Sequence, residues 1–199
     1  MPIPRGRTIF PISMPAEVRA SWSKVAVSRA KRGLTGGERE RALRELEVVR
    51  APLRETGILG WVSAELHADV CRAIVRGLGP DRARVFWADL TTESMRAPLM
   101  RPIVSAALSI DGRRPESLIR RAPRVWELVT RGAGELTATK IDDGIHLDYA
   151  HLPRAFCETA FLLAQVGTCD ACLAAVGATG DASIELDPSG ARARITVRW

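Results

Sequence analysis

Apolar residues recur at helical spacing through the first half of the chain. This spacing predicts a helix over 15–31 capped by Ser13, a second over 37–49 and a third over 62–76. The apolar face of the first helix consists of Val18, Trp22, Val25 and Ala26. In the second helix Leu43 and Leu46 are expected to face the core. The apolar positions of the third helix are Leu66, Val70, Ala73 and Ile74.

Glycine and proline residues divide the next stretch into further helices. Gly79, Pro80 and Asp81 end the third helix and begin a fourth, because proline is tolerated in the first turn of a helix. Residues 97–130 are mainly helical but interrupted by prolines, and PESLIRRAPRVWELVTRG predicts a helix pair or one bent helix. The side chains available for burial there are Leu118, Ile119, Val125, Trp126 and Val129.

After Gly132 the pattern changes from helical to alternating. GELTATKIDDGIHLDYA predicts a hairpin that turns at Asp143 and Gly144, since these residues adopt positive φ angles readily. Its second strand carries Ile145, Leu147 and Tyr149 on one face and His146 and Asp148 on the other.

A helix from Pro153 to Val176 and a second hairpin in DASIELDPSGARARITVRW complete the predicted fold. The last strand is expected to point Ala191, Ala193, Ile195, Val197 and Trp199 inward and Arg192, Arg194 and Arg198 outward.

The order of these elements predicts an α+β fold. An N-terminal helical layer would pack on a four-stranded antiparallel sheet made of two β-hairpins separated by helices. We expect an extended arm over 1–14 and one domain over 15–199. That domain would be mainly helical over 15–132, with a hairpin, a helix and a hairpin over 133–199.

The composition of the chain indicates where in the cell the protein is expected. The 199 residues are 46% hydrophobic and 26% charged, which suits one compact domain. The N-terminus lacks the apolar run of a secretory signal, and no stretch is long enough for a membrane span. Four cysteines without a signal indicate reduced thiols, so we expect a cytoplasmic protein.

The net charge of +6 raises the alternative of a nucleic-acid-associated regulatory protein, because basic residues displace phosphate counterions. The excess arginine is scattered and no recognised nucleic-acid motif accompanies it, so this alternative is disfavoured. A basic face could still form around Arg192, Arg194 and Arg198, although solvated strand arginines are the favoured interpretation.

The pair Cys169 and Cys172 has the spacing of a zinc or redox motif. Zinc needs two more ligands, and the candidates are Cys71, Cys157, His67, His146 and His151. The spacing of the pair supplies no complete set, and the segment QVGTCDACLAAVG also suits the buried stripe of a helix. We therefore favour two small buried side chains, while a zinc-binding sensor remains an alternative.

Catalytic motifs are absent from the sequence. There is no nucleophile elbow, phosphate-cradling glycine loop or metalloprotease helix, so we expect no enzyme, no catalytic residues and no cofactor. A haem would need one of the three histidines to face an apolar cavity. The aromatics that could line a ligand pocket, or simply form the core, are Trp87, Trp126, Tyr149, Phe156 and Phe161.

Four segments carry a resemblance to known proteins: LIRRAPRVWELVTRGAG, GIHLDYAHLPR, QVGTCDACLAAVGAT and ARITVRW. With the order of elements over 50–199, they resemble a bacterial paralogous family of unknown function. That family is similar to the ligand-binding superfamily of vinyl-4-reductase domains, haem nitric-oxide-binding domains and the transport-particle subunits of Golgi traffic.

The resemblance implies a helical layer on a four-stranded sheet, frequent dimers and, in some branches, an internal pocket. It implies no catalysis. In the zinc-binding branches the cysteines lie largely around the closing strands, and this chain has no cysteine after Gly177. We therefore expect a non-catalytic sensory or protein-interaction module that forms a homodimer, acts on a protein partner in a signalling pathway and could hold a small apolar ligand.

Overall fold

The computed structural model describes residues 15–98, 101–110, 112–187, 189 and 191–199. The helices are α1 (Ala20–Gly33), α2 (Gly36–Glu45), α3 (Glu47–Glu55), α4 (Ala64–Leu78), α5 (Pro80–Arg96), α6 (Arg101–Ile110), α7 (Pro115–Ile119), α8 (Ala122–Val129) and α9 (Thr159–Ala175), with a 3-10 turn at Arg154–Phe156. The strands are β1 (Glu17–Arg19), β2 (Trp61–Ser63), β3 (Thr130–Arg131), β4 (Glu135–Ile141), β5 (Gly144–Ala150), β6 (Asp181–Leu186) and β7 (Arg192–Arg198).

Two hairpins form the larger sheet, as predicted. Its antiparallel strands run in the order β4-β5-β7-β6, so β5 and β7 pair at the centre. Ile145, Leu147 and Tyr149 are buried on the face that meets the helices, because alternate residues of a strand share one face. The fold is therefore the predicted α+β architecture, with a helical layer on a four-stranded antiparallel sheet.

A second, smaller sheet was not predicted. Strands β2, β1 and β3 pair in that order, with Val18 opposite both Val62 and Thr130. Val18 is fully buried, whereas Arg19 and Trp61 stand on the other face. This sheet joins three distant parts of the helical half of the chain.

Glycines allow two pairs of helices to approach closely. A Cβ atom on Gly167 in α9 would lie 2.6 Å from the carbonyl oxygen of Arg84 and 2.7 Å from the Cβ of Trp87, both in α5. A Cβ on Gly77 in α4 would lie 2.6 Å from the Cα of Ala42 in α2. Since real side chains do not tolerate such distances, both contacts depend on the missing Cβ.

Several predicted boundaries in the helical half were wrong. The first helix begins at Ala20 rather than at 15, because β1 precedes it, and the third begins at Ala64 because β2 occupies 61–63. The second predicted helix breaks at Leu46 into α2 and α3. Ser13 lies outside the described residues. Val25, placed on the apolar face of the first helix, is 39% exposed, and Val125, named as available for burial, is 44% exposed.

The turns and ends of the strands also differ from the prediction. The first hairpin turns at Asp142 and Asp143, and neither of these residues nor Gly144 has a positive φ angle. Ala191 and Trp199 are exposed, because the buried alternation of β7 covers only Ala193, Ile195 and Val197. Within the described ranges no helix is long and apolar enough to cross a membrane.

Candidate functional site

Four of the five predicted pocket residues lie together between the helices and the larger sheet. Phe156 and Phe161 stack in parallel with ring centres 4.0 Å apart. Trp126 meets Tyr149 edge-on at 5.4 Å and contacts both phenylalanines at about 6 Å. All four side chains are at least 97% buried, and the Trp126 indole donates to the carbonyl oxygen of Gly134 at 3.2 Å. The four rings pack against one another and fill the space between the helices and the sheet at this point.

Trp87, the fifth residue, lies elsewhere. Its ring meets Phe86 of the same helix at 5.5 Å, and its side chain packs against Gly167 of α9. Its indole nitrogen is buried and has no hydrogen-bond partner among the groups that the structure describes. Trp87 therefore belongs to the contact between α5 and α9 and not to the central aromatic cluster.

His67, one of the candidate zinc ligands named from the sequence, is a buried polar residue of α4. Its Nδ1 lies 2.9 Å from the hydroxyl of Ser23, its Nε2 lies 3.9 Å from the thiol of Cys71, and the rings of Phe156 and Phe161 surround it at 6.2 Å. Burial lowers the pKa of His67 to about 4, so the ring is neutral at physiological pH. The sequence signal for this burial was the spacing of His67 with Cys71 and Ile74, because residues at these intervals share one face of a helix.

The two cysteines of the motif lie within α9. Cys169 is buried and Cys172 is half-buried. Burial raises the pKa of both thiols, that of Cys172 to about 12, and disfavours the thiolate that metal binding and redox chemistry require. In the described part of the chain no three His, Cys, Asp or Glu side chains are grouped to hold a metal ion.

The other two histidines lie outside the core. His146 is on the outer face of β5, where its Nδ1 lies 3.1 Å from the hydroxyl of Thr196 in β7. His151 is exposed and has a positive φ of 56° in the bend after β5.

The predicted basic face contains acidic partners. Arg194 donates to the carboxylate of Asp148 at 2.6 Å, and Arg198 pairs with Asp143 at 3.0 Å. Arg192 makes no ion pair with any residue that the structure describes. Glu185 and Asp181 stand opposite Arg194 and Arg198 on β6, so this surface is mixed in charge.

A surface feature that sequence analysis missed lies on the smaller sheet. The guanidinium carbons of Arg19 and Arg131 are 4.0 and 3.9 Å from the centre of the Trp61 ring. Both guanidinium groups are therefore within cation–π contact distance of the same ring. We call these three residues the arginine–tryptophan patch. Strands of two or three residues gave too little alternation to predict it.

A groove of about 580 Å³ separates α5, α6 and the end of α9. Met95, Val104 and Leu108 form an apolar wall, while Arg96 and Arg101 stand at its margin. None of the five predicted pocket aromatics lines it, because they lie in the packed core.

Comparison with protein-family models and with curated proteins gives no match for this sequence. Solved H-NOX structures do match the fold. An unliganded Fe(II) H-NOX mutant from K. algicida superposes with a TM-score of 0.61 at 7% identity, over 90% of this chain and 95% of that one. A mutant H-NOX from T. tengcongensis gives 0.56 at 12%, over 90% and 96%. An oxygen-binding H-NOX domain related to soluble guanylate cyclases gives 0.54 at 12%, over 90% and 93%. At these identities the similarity establishes a common fold.

Proposed function

We propose that this chain is a non-catalytic cytoplasmic module for sensing or protein interaction, built on the H-NOX fold with an interior filled by its own side chains. The observation that carries the proposal is the stack of Phe156 on Phe161 at the centre of the molecule. A module of this kind would report through its surface, since its interior is occupied by packed rings.

Haem, whose distortion was probed in another solved H-NOX structure of this fold, does not fit the described side chains of this chain. An axial ligand must face a cavity wide enough for a porphyrin. Both ring nitrogens of His67 face protein groups, and His146 and His151 lie outside the core. Burial raises the pKa of the phenol of Tyr149 well above its usual value, and aromatic rings occupy the space beside it.

A hydroxyl, an imidazole and a thiol lie in one row in the core, on Ser23, His67 and Cys71. A nucleophile and its general base are arranged in this way in some enzymes. All three are at least 98% buried, so no substrate reaches them. Burial also raises the pKa of the Cys71 thiol far above its usual value, so it stays protonated. These properties support a structural role and the non-catalytic proposal.

Haem titration tests the proposal. The purified chain is mixed with hemin and a reductant, and an H-NOX protein treated in the same way serves as the positive control. We expect no stoichiometric Soret band from this chain. A Soret band at one haem per chain that disappears in His67→Gln would overturn the packed-interior proposal.

A variant with space in the core sharpens this test. Phe161→Ala removes one member of the stack and leaves a cavity bordered by Phe156 and His67. We expect this variant to bind an apolar fluorescent dye more strongly than the parent, while Leu53→Ala, a core truncation in α3, serves as the matched control. Strong dye binding by the parent, equal to that of Phe161→Ala, would show that the interior already contains open space and would overturn the packed-interior proposal.

A further inference from the structure

We propose that the arginine–tryptophan patch docks an acidic, aliphatic-containing segment of a partner protein. This inference rests on the proposed function as an interaction module and identifies the surface and the chemistry of the partner. Three observations support it: two arginines without an ion pair to any described residue, a tryptophan in contact with both of them, and exposed aliphatic residues in the adjoining segments of the chain.

The patch holds two arginines without an ion pair in the described part of the chain, and one carboxylate, that of Glu17, stands on the same face of the smaller sheet. Among the described residues neither the half-buried Arg19 nor the exposed Arg131 forms an ion pair, whereas the half-buried Arg29, Arg72 and Arg84 do. Glu17 stands opposite Arg131 in the register of β1 and β3 but makes no ion pair with it. Contact with the Trp61 ring restrains both guanidinium groups, and one N–H group of Arg19 is held by the carbonyl oxygen of Leu59. Oriented guanidinium groups bind carboxylates with two parallel hydrogen bonds, so the patch is prepared for acidic side chains.

Exposed aliphatic residues lie in the segments that adjoin the patch in sequence. Leu59 is 81% exposed, and its carbonyl oxygen accepts a hydrogen bond from Nη1 of Arg19 at 2.8 Å, which ties the loop before β2 to the patch. Ile58 is 60% exposed in the same loop, and Leu128 is 70% exposed three residues before Arg131. Large exposed aliphatic side chains beside arginine and tryptophan are the composition of a protein-binding surface.

Nucleic acid suits the patch less well. Two guanidinium groups already contact the Trp61 ring, so a base would have to displace them to stack as it does on the open aromatic rings of single-strand binding sites. The exposed leucines and isoleucine offer nothing to a phosphate backbone. An acidic peptide with aliphatic side chains satisfies both the charges and the apolar margin.

The N-terminal segment of this chain does not match the charge of the patch. Residues 1–14 contain Arg5 and Arg7 and no acidic side chain. Charge complementarity therefore favours a separate protein over this segment as the occupant.

Fluorescence anisotropy tests the inference with a labelled peptide of alternating glutamate and leucine. A peptide of alternating lysine and leucine and a single-stranded DNA of equal length are the comparison probes. We expect the acidic peptide to bind best, and the R19Q/R131Q double variant to weaken that binding about tenfold or more, because two charge-assisted contacts are lost. Arg192→Gln, which removes another exposed arginine without an ion pair, is the matched control and should leave binding unchanged.

A second variant covers the case in which the double variant unfolds. Leu59→Ser lies in the loop outside the sheet and should weaken the acidic peptide several-fold without changing the melting temperature. Tighter binding of the DNA, equal loss in Arg192→Gln, or no loss in either patch variant would overturn the inference. A failure of peptide binding in a chain that still takes up no haem would reject this docking surface and leave the packed-interior proposal standing.

Discussion

The Nδ1 of His67 and the hydroxyl of Ser23 lie 2.9 Å apart in the core between α4 and α1. Both residues are almost completely buried, so the pair links two helices where water does not reach. A neutral imidazole is stable there, whereas an imidazolium would lose its hydration. The stability of the fold is therefore coupled to the protonation of one ring.

We predict that the chain loses stability on mild acidification through His67. Its folded pKa of about 4 lies below the unfolded value of 6.5, so the unfolded chain binds the proton more tightly. The contribution is fully present above pH 6.5 and is lost as the pH falls towards 4, by about 3 kcal/mol in all. Urea unfolding at pH 7, 6, 5 and 4 measures this loss.

The control for this prediction is His67→Gln, which keeps a polar side chain and removes the titration. Its free energy of unfolding should change less than that of the parent between pH 6.5 and 4, a range in which surface carboxylates affect both proteins equally. Parallel pH profiles for parent and variant would show that His67 does not titrate between the folded and unfolded states.

We predict that Cys169→Ala with Cys172→Ala lowers stability without collapsing the fold. Each substitution removes a sulfur from the packed side of α9, at about 1 to 2 kcal/mol per site, and less at the half-buried Cys172. The native thiols should react slowly with iodoacetamide, because burial raises their pKa values. Thermal unfolding and mass spectrometry after alkylation are the measurements. Rapid alkylation at neutral pH, or a melting temperature lowered by a chelator, would support a redox or zinc role instead.

We predict that Gly167→Ala destabilises the protein by about 1 to 3 kcal/mol, because the new methyl group would overlap the backbone of α5 at Arg84. Gly33→Ala in α1 is the matched control. Its new Cβ would meet only the flexible side chain of Arg29, at 3.4 Å, so a neutral or slightly stabilising change is expected. Urea unfolding should give a lower midpoint than the parent for Gly167→Ala and an equal or slightly higher midpoint for Gly33→Ala. Similar midpoints would mean that α5 and α9 can separate without loss.

We predict that the chain forms a homodimer at tens of micromolar concentration. The prediction comes from the family resemblance and from wide apolar helix faces, and exposed residues such as Ile110 and Val48 are available for the contact. Sedimentation equilibrium measures the mass directly. A monomer throughout this range would favour contact with a different protein chain.

The hairpins were predictable because the residues that decide them are neighbours in sequence. Alternation from Ile145 to Tyr149 marks the buried face of β5, and the glycine and proline at 79 and 80 mark the boundary between α4 and α5. Strands β1, β2 and β3 are two or three residues long, and each is a strand only because distant segments pair with it. Their local sequence therefore favoured helix.

In the candidate sites, too, local patterns were predictable and contacts between distant segments were not. Four aromatic residues could be named as one group, because each lies in an apolar pattern of its own element. Trp87 was grouped with them although it packs on Gly167, since periodicity predicts burial but not the neighbour. The contact of Arg19 and Arg131 with Trp61 depends on three separate strands, so no local signal in the sequence predicts it.

The strand order β4-β5-β7-β6 has a consequence for how the chain reaches its native state. The first hairpin can form from neighbouring residues, but one edge of β5 stays open until β7 arrives from beyond α9 and β6. Closing such a long loop before any pairing is gained slows folding. During that interval the open edge of β5 can pair with another molecule. Refolding yield should therefore fall with protein concentration, because β7 of the same chain then competes with strands from other chains.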